Sequence, residues 1–329
     1  MIHAPHAAGC PIGALGNPLA VYLDQALKAG AEILHDSYAT RVVTDRDGKR
    51  AIGVEYFNDR GERLIQEGSV VVLAAFALQN PRILLNSAPG GLANSSGMVG
   101  KYFMAHTATS VWGIFPEETQ NFIGVTGGQL LCQENYKKDP KKGYLGSFQW
   151  LIGNALKPND LLGISNSRPD LFGKALHDFL QKATKFLGTM TLVGENLPAP
   201  ENRMVLIDKK DKFGMPLARI YHSLLQDDIR CYEEGVRQGL EVFKAAGVAQ
   251  PWNGMRVAMH VMGGTIMGSE ARNSVTNSYG QCHDCSNLFL SGSGIFPTGG
   301  AVNPTFTIHA LALRTAKHMN EHWDVISTH

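Results

Sequence analysis

Apolar residues change their period several times along this chain, and each change marks an element. Asn17–Ala29 carries them at helical spacing and stops at Gly30, a residue suited to the position just past a helix end. Glu32–His35 and Ala39–Thr44 are short runs of strand length. Asp47-Gly48, inside Asp45–Arg50, is a hairpin signal. Ala51–Phe57 then alternates apolar and polar as a half-buried strand, and Asn58–Gly61 turns again. Val70–Ala75 is continuously apolar, the pattern of a strand covered on both faces. Leu78–Asn86 returns to helical period and tolerates Pro81 in its first turn. This succession predicts the inner part of a nucleotide-binding α/β domain.

Residues 107–255 read as a second domain. Two amphipathic helices are predicted there, Leu171–Leu187 and Asp227–Ala246, the second opened by Asp227 and stopped by Gly247. From residue 256 onward the text returns to the first domain. His260 precedes the pair Gly263-Gly264, and Asn287–Ser291 is a short apolar strand. A small-residue loop, Gly292–Pro304, carries the amide of Asn303, and Thr305–Trp323 has helical period. Strand, glycine loop and helix in that order aim backbone N–H groups and a positive helix end at one point. Such a place suits an anionic or electron-rich ring, with an imidazole and an amide beside it.

Composition narrows this picture. With 44% hydrophobic and 18% charged residues, the chain of 329 can bury a core as one large or two ordinary domains. A net charge of +1 gives no electrostatic case for nucleic acid or an acidic membrane surface. No apolar run approaches the roughly 18–20 residues of a membrane span. The first residues lack the basic-then-apolar order of a signal peptide, so the location is read as cytoplasmic by default, or periplasmic within a larger complex. Five scattered cysteines do not form a disulfide framework.

His-x-x-Gly-x-Thr-x-Met-Gly from His260, the Asn-Leu-hydrophobic strand at Asn287, Phe296-Pro297 among small residues and Asn-Pro-x-x-Thr from Asn303 stand in order. Together they resemble the glucose–methanol–choline (GMC) oxidoreductases, flavin-dependent alcohol oxidases and dehydrogenases. Cys10–Ala14, Val71–Ala88, Ser95–His106 and Pro200–Leu206 agree, and the likeness is greatest to the bacterial glucose, sorbitol and gluconate dehydrogenase large subunits. The resemblance implies FAD as cofactor and a sugar or polyol as substrate. It implies an α/β (α+β) fold in which a partial FAD-binding domain, 1–106 and 256–329, holds an inserted substrate domain of sheet plus helices, 107–255. The family's opening strand–Gly-x-Gly-x-x-Gly–helix unit, which seats the pyrophosphate, is not found. The chain is therefore expected to bind FAD weakly alone and to work with an N-terminal FAD-binding half, a small subunit or a cytochrome acceptor. An inactive or split fragment that binds a partner is the alternative.

The resemblance assigns residues as well. His260 would be the base that takes the alcohol proton, since histidine titrates near working pH. Asn303 would donate to the substrate oxygen. Ala39, Ala75, Gly292, Ser293, Asn303, Pro304, Thr305 and Thr307 would line the cofactor, the last four at a helix end that stabilises negative charge on reduced flavin. Phe76 replaces a family glycine that lets backbone approach FAD. His106 follows Ala105 where the family has a polar residue, and is read as structural. Cys282, His283 and Cys285 are read as a turn and no metal is expected. Cys10 is the remnant of an iron–sulfur site that needs about three or four thiolates.

Overall fold

The computed structural model describes residues 16–121, 130–153 and 158–328. Cys10 and its motif lie outside them. In chain order, a π-helical turn, Leu19–Leu23, runs into α1 (Asp24–Lys28). Four strands follow: β1 (Tyr38–Thr44), β2 (Ala51–Phe57), β3 (Arg63–Glu67) and β4 (Val71–Leu73). Then come α2 (Phe76–Ser87), β5 (Met104–Ile114), β6 (Leu130–Cys132), β7 (Phe148–Ile152), α3 (Pro158–Ser165) and α4 (Lys174–Phe186). The chain continues through β8 (Leu187–Gly194), β9 (Arg203–Lys210), β10 (Pro216–Tyr221), α5 (Gln226–Ala245), β11 (Trp252–Asn253) and β12 (Val257–Met262). It closes with β13 (Leu288–Leu290), α6 (Thr305–Glu321) and α7 (Trp323–Thr328). The fold mixes helix and sheet, as the sequence pattern requires.

Contacts divide the chain into two units. One takes in the chain up to Ile33, Thr107–Glu195 and Gln226–Ala258. Its antiparallel sheet runs β11-β5-β8-β7-β6. Val111, Phe148, Trp150 and Leu192 pack from that sheet against Cys231 and Phe243 of α5. The spacing 231, 235, 239, 243 is one helical stripe, so the face buried on the sheet is the one the period marks. In α4 only Ala183 is fully buried, and the helix packs with α3 through Ile164.

The other unit comprises Leu34–His106, Asn196–Leu225 and Met259–His329. It holds an antiparallel meander, β1-β2-β3, a β9–β10 hairpin and a parallel pair, β4 with β13. Val42, Ala51, Leu73, Leu84, Leu288, Leu290 and Ile295 share one core. Beneath it, the Arg82 guanidinium bonds Asp211, the Tyr38 hydroxyl and the carbonyls of Met215 and Pro216, tying α2 to β1 and the hairpin.

Two expectations fail for physical reasons. Glu32–His35 is not a strand: Ile33 and Leu34 are exposed, and no neighbour pairs with it among the described residues. Val70–Ala75 shortens to Val71–Leu73, and its middle residue, Val72, is 43% exposed, so the strand is covered on one face only. The final helix, expected over Thr305–Trp323, is borne out as α6, Thr305–Glu321, and the short α7 follows it.

Candidate active site

β4 and β13 are parallel, so both chains leave the pair at the same end. Loops at the carboxyl ends of parallel strands are where α/β folds bind ligands. Asn80 closes this end. Its side chain accepts from the Ala75 N–H at 2.8 Å and donates to the carbonyls of Leu73 and Ser291 at 3.1 and 3.3 Å. Ala75 and Gly292, both expected at the cofactor, are thereby brought to one edge. Ala39 belongs to a different sheet, the meander of β1, where it pairs Tyr56.

The loop from Gly292 to Pro304 leads into α6. Gly292 has φ +106° and Gly300 φ +58°, and neither has an atom within 4 Å of where a Cβ would stand. Pro304 sits at the N-cap and no side chain caps the helix. Its first intrahelical bond runs from the Ile308 N–H to the Pro304 carbonyl. The N–H groups of Thr305, Phe306 and Thr307 have no intrahelical acceptor and point outward. Thr305 and Thr307 are exposed, and the Phe306 ring is 88% exposed. Open backbone, outward N–H groups and an apolar ring fit the edge of a planar, electron-rich cofactor such as a flavin. Phe76 is the residue that does not fit. It opens α2 with φ +73°, a left-handed conformation natural to glycine, and its ring is 50% exposed at the same end of β4.

His260 lies in β12 with φ +56°. The Ser293 hydroxyl donates to the Val261 carbonyl, and the N–H groups of Gly263 and Thr265 donate to Ser293 and Gly294. This ladder fixes His260 against the loop that carries Asn303. His260 Nε2 stands 3.4 Å from Asn303 Nδ2. The two candidate residues, 43 positions apart, meet at one polar point.

A second imidazole, read from the sequence as structural, adjoins the pair. His106, at the start of β5, is fully buried, and its Nδ1 lies 3.0 Å from Nδ1 of His260. The rings meet edge to face. Ala105, beside it, donates its N–H to Asn196 Oδ1, which also meets His222 Nε2. A histidine opening a run as apolar as Phe103–Ala108 was the available signal, because a buried imidazole needs a partner. Burial, then the neighbouring His260, pushes the His106 pKa down to about 4, against the pull of the Gly299 and Gly300 carbonyls. Burial also lowers that of His260. Both rings are therefore neutral near pH 7, and a neutral His260 can accept a proton.

Cys282 and Cys285 are buried in the core as free thiols, their pKa values raised by burial. Among the described residues no three His, Cys, Asp or Glu side chains gather as a metal site.

Comparison with known proteins identifies the family. Residues 3–108 match the N-terminal model of the GMC oxidoreductases and residues 198–312 the C-terminal model. The chain is 30% identical to a 2-methyl-1,2-propanediol dehydrogenase of Mycolicibacterium austroafricanum over 97% of its own length and 60% of that protein's. It is 29% identical to a fructose dehydrogenase large subunit of Gluconobacter japonicus, over 93% and 57%. In fold it is similar to a formate oxidase of Aspergillus oryzae RIB40, with a TM-score of 0.62 at 14% identity over 88% of this chain and 60% of that one. The chain thus spans about six tenths of the length of these relatives. Two models that together cover more than half of its residues place the chain in the GMC oxidoreductase family.

Proposed function

We propose that this chain carries the substrate-oxidising site of a flavin-dependent alcohol dehydrogenase acting on a sugar or polyol. The observation that carries the reading is the meeting of His260 Nε2 and Asn303 Nδ2 beside the uncapped start of α6. Names among the relatives, a diol dehydrogenase and a fructose dehydrogenase, support the substrate class. FAD, when bound, accepts the hydride that leaves the alcohol carbon. His260 would take the hydroxyl proton at Nε2, the ring nitrogen beside Asn303. Asn303 donates from Nδ2 to the substrate oxygen as that oxygen gains negative charge. Gly292 and Ser293 through backbone N–H groups, and Thr305 and Thr307 through backbone N–H and hydroxyl groups, would hold the ring edge, and the α6 dipole would favour negative charge there. Ala75, at the end of β4, borders the same edge. A second chain, such as an FAD-binding half, a small subunit or a cytochrome, completes the electron path. The alternative, a partner-binding module without catalysis, rests on Phe76 at the backbone position where a glycine would let a cofactor approach.

The experiment is anaerobic reduction of the FAD-reconstituted protein by fructose or a simple polyol. The flavin band should bleach, and His260→Ala should slow bleaching by about a hundredfold or more. A protein that takes up no flavin even when combined with an N-terminal FAD-binding half supports the partner-binding module. Bleaching at an undiminished rate in His260→Ala removes His260 from the reaction.

A further inference from the structure

The contact between the two histidines constrains the protons of the site. Two nitrogens 3.0 Å apart, His106 Nδ1 and His260 Nδ1, share one hydrogen between them. With both rings neutral, only two arrangements exist. In the first, His260 donates from Nδ1, so its Nε2 keeps a lone pair, and the His106 proton sits on Nε2. In the second, His106 donates from Nδ1, and the His260 proton moves to Nε2.

The ends of the pair decide between them. Asn303 presents Nδ2 to His260 Nε2 at 3.4 Å. An amide N–H meets a lone pair favourably and another N–H unfavourably, which selects the first arrangement. An Asn303 amide turned by half a revolution would remove that preference, because its oxygen and nitrogen exchange places. The far end cannot turn. The Gly299 and Gly300 carbonyls face the His106 ring as acceptors, and with Nδ1 taken by His260 the nitrogen left for them is Nε2. Nε2 makes no hydrogen bond of full geometry, yet it is wholly buried. A lone pair there would face carbonyl oxygens with no water to intervene, the costlier state in a low-dielectric interior. An N–H there faces them with the right sign. Both ends favour the same chain of donors, from His106 Nε2–H inward and from His260 Nδ1–H to His106 Nδ1.

We propose that His106 is a positioning residue that holds His260 in its Nδ1–H tautomer and so keeps on Nε2 the lone pair that a substrate hydroxyl, displacing the long contact from Asn303, would take up. The proposal rests on the reading of His260 as the base. It assigns His106 a role that its burial alone does not require, since a leucine would fill the same apolar space without choosing a tautomer.

The test is nitrogen NMR on protein with 15N-labelled histidine, read before any cofactor or substrate is added. In the unsubstituted protein, His260 should show a protonated Nδ1 and a bare, pyridine-type Nε2. His106→Leu removes the acceptor and should shift the tautomer ratio by about an order of magnitude, the worth of one hydrogen bond. His106→Asn places an amide oxygen near the lost Nδ1 and should restore the ratio, with kcat recovering and KM unchanged. A protonated Nε2 on His260 in the unsubstituted protein overturns the proposal outright, whether or not the variants fold. An unchanged ratio in His106→Leu overturns it as well. A ratio that shifts as described, together with full activity in His260→Ala, leaves the tautomer lock standing and removes the assignment of His260 as base.

Discussion

Gly263→Ala should unfold the histidine turn far more readily than Gly300→Ala, and the difference can be worked from the backbone. Both glycines are left-handed, with φ +78° and +58°. Either alanine therefore bears the cost of placing an L-residue there, about 1–2 kcal/mol. At Gly300 the new Cβ meets nothing within 4 Å, and the cost ends there. At Gly263 it collides with the carbonyl of Tyr102 and approaches Met104 Cε to 3.3 Å. Tyr102 cannot step back. It is itself left-handed, at φ +61°. Its neighbours are held by Gly100 N–H to the Gly264 carbonyl, Gly264 N–H to Lys101 and Phe103 N–H to Asn202, at 2.7, 3.0 and 2.9 Å. Relieving the clash breaks two or three of these bonds, at about 1 kcal/mol each. The expected penalty is about 3–5 kcal/mol for Gly263→Ala against about 1–2 for Gly300→Ala. Urea unfolding of the two variants gives the comparison, as a shift of midpoint at constant slope. Equal midpoints would refute the reasoning, because the collision with Tyr102 would then carry no weight.

Acid should destabilise the unit that holds His106. Its pKa is about 4 folded against 6.5 unfolded, so the unfolded chain binds the extra proton. Stability is full above about 6.5 and falls by up to about 3 kcal/mol as pH drops toward 4, a loss absent in His106→Leu on thermal melts across that window. For catalysis, kcat/KM should fall on the acid side with a midpoint below 6.5, the direction in which burial moves His260. A midpoint above that value in steady-state profiles speaks against His260 as base. Arg82→Met leaves Asp211 without its cation in a site where the two side chains are 7% and 18% exposed. It should cost about 3 kcal/mol by chemical denaturation, while Lys174→Met, whose pair with Asp178 is exposed, should cost well under 1.

Elements with one wet face and one dry face were legible in the sequence. Ala51–Phe57 alternates, and the strand buries Ala51, Gly53 and Glu55 on one side. α5 buries residues at helical spacing, begins one residue before Asp227 and ends two before Gly247. β3 left no such trace. All five of its residues are exposed and it is held by the ladder to β2, so nothing in Arg63–Glu67 alternates. The site divides in the same way. His260 and Asn303 stand out through motif text around small residues. Their approach across 43 positions depends on tertiary bonds from Ser293 and Gly294 that no local pattern encodes. His106 lacked the polar neighbour that marks the motif, so its partner became visible only when β5 and β12 paired.

The left-handed backbone at His260 links these observations. A strand residue with ordinary dihedrals would send its side chain to one face in simple alternation. At φ +56° the ring is turned out of that alternation, at a cost of about 1–3 kcal/mol for a residue that is not glycine. The cost is sustained by the bonds on either side of it: Ser293 Oγ to Val261, Gly263 N–H to Ser293 and Thr265 N–H to Gly294. In each bond one partner, Ser293 or Gly294, belongs to the segment that follows β13 and leads to α6. Strain at the imidazole and placement of the α6 start are therefore fixed by the same few hydrogen bonds. A substitution that loosened Ser293 would release His260 from His106 and from Asn303 together. On the proposed reading, the parts of the site that would take the proton and hold the ring then stand or fall as one structure, as removal of proton and hydride from adjacent atoms would require.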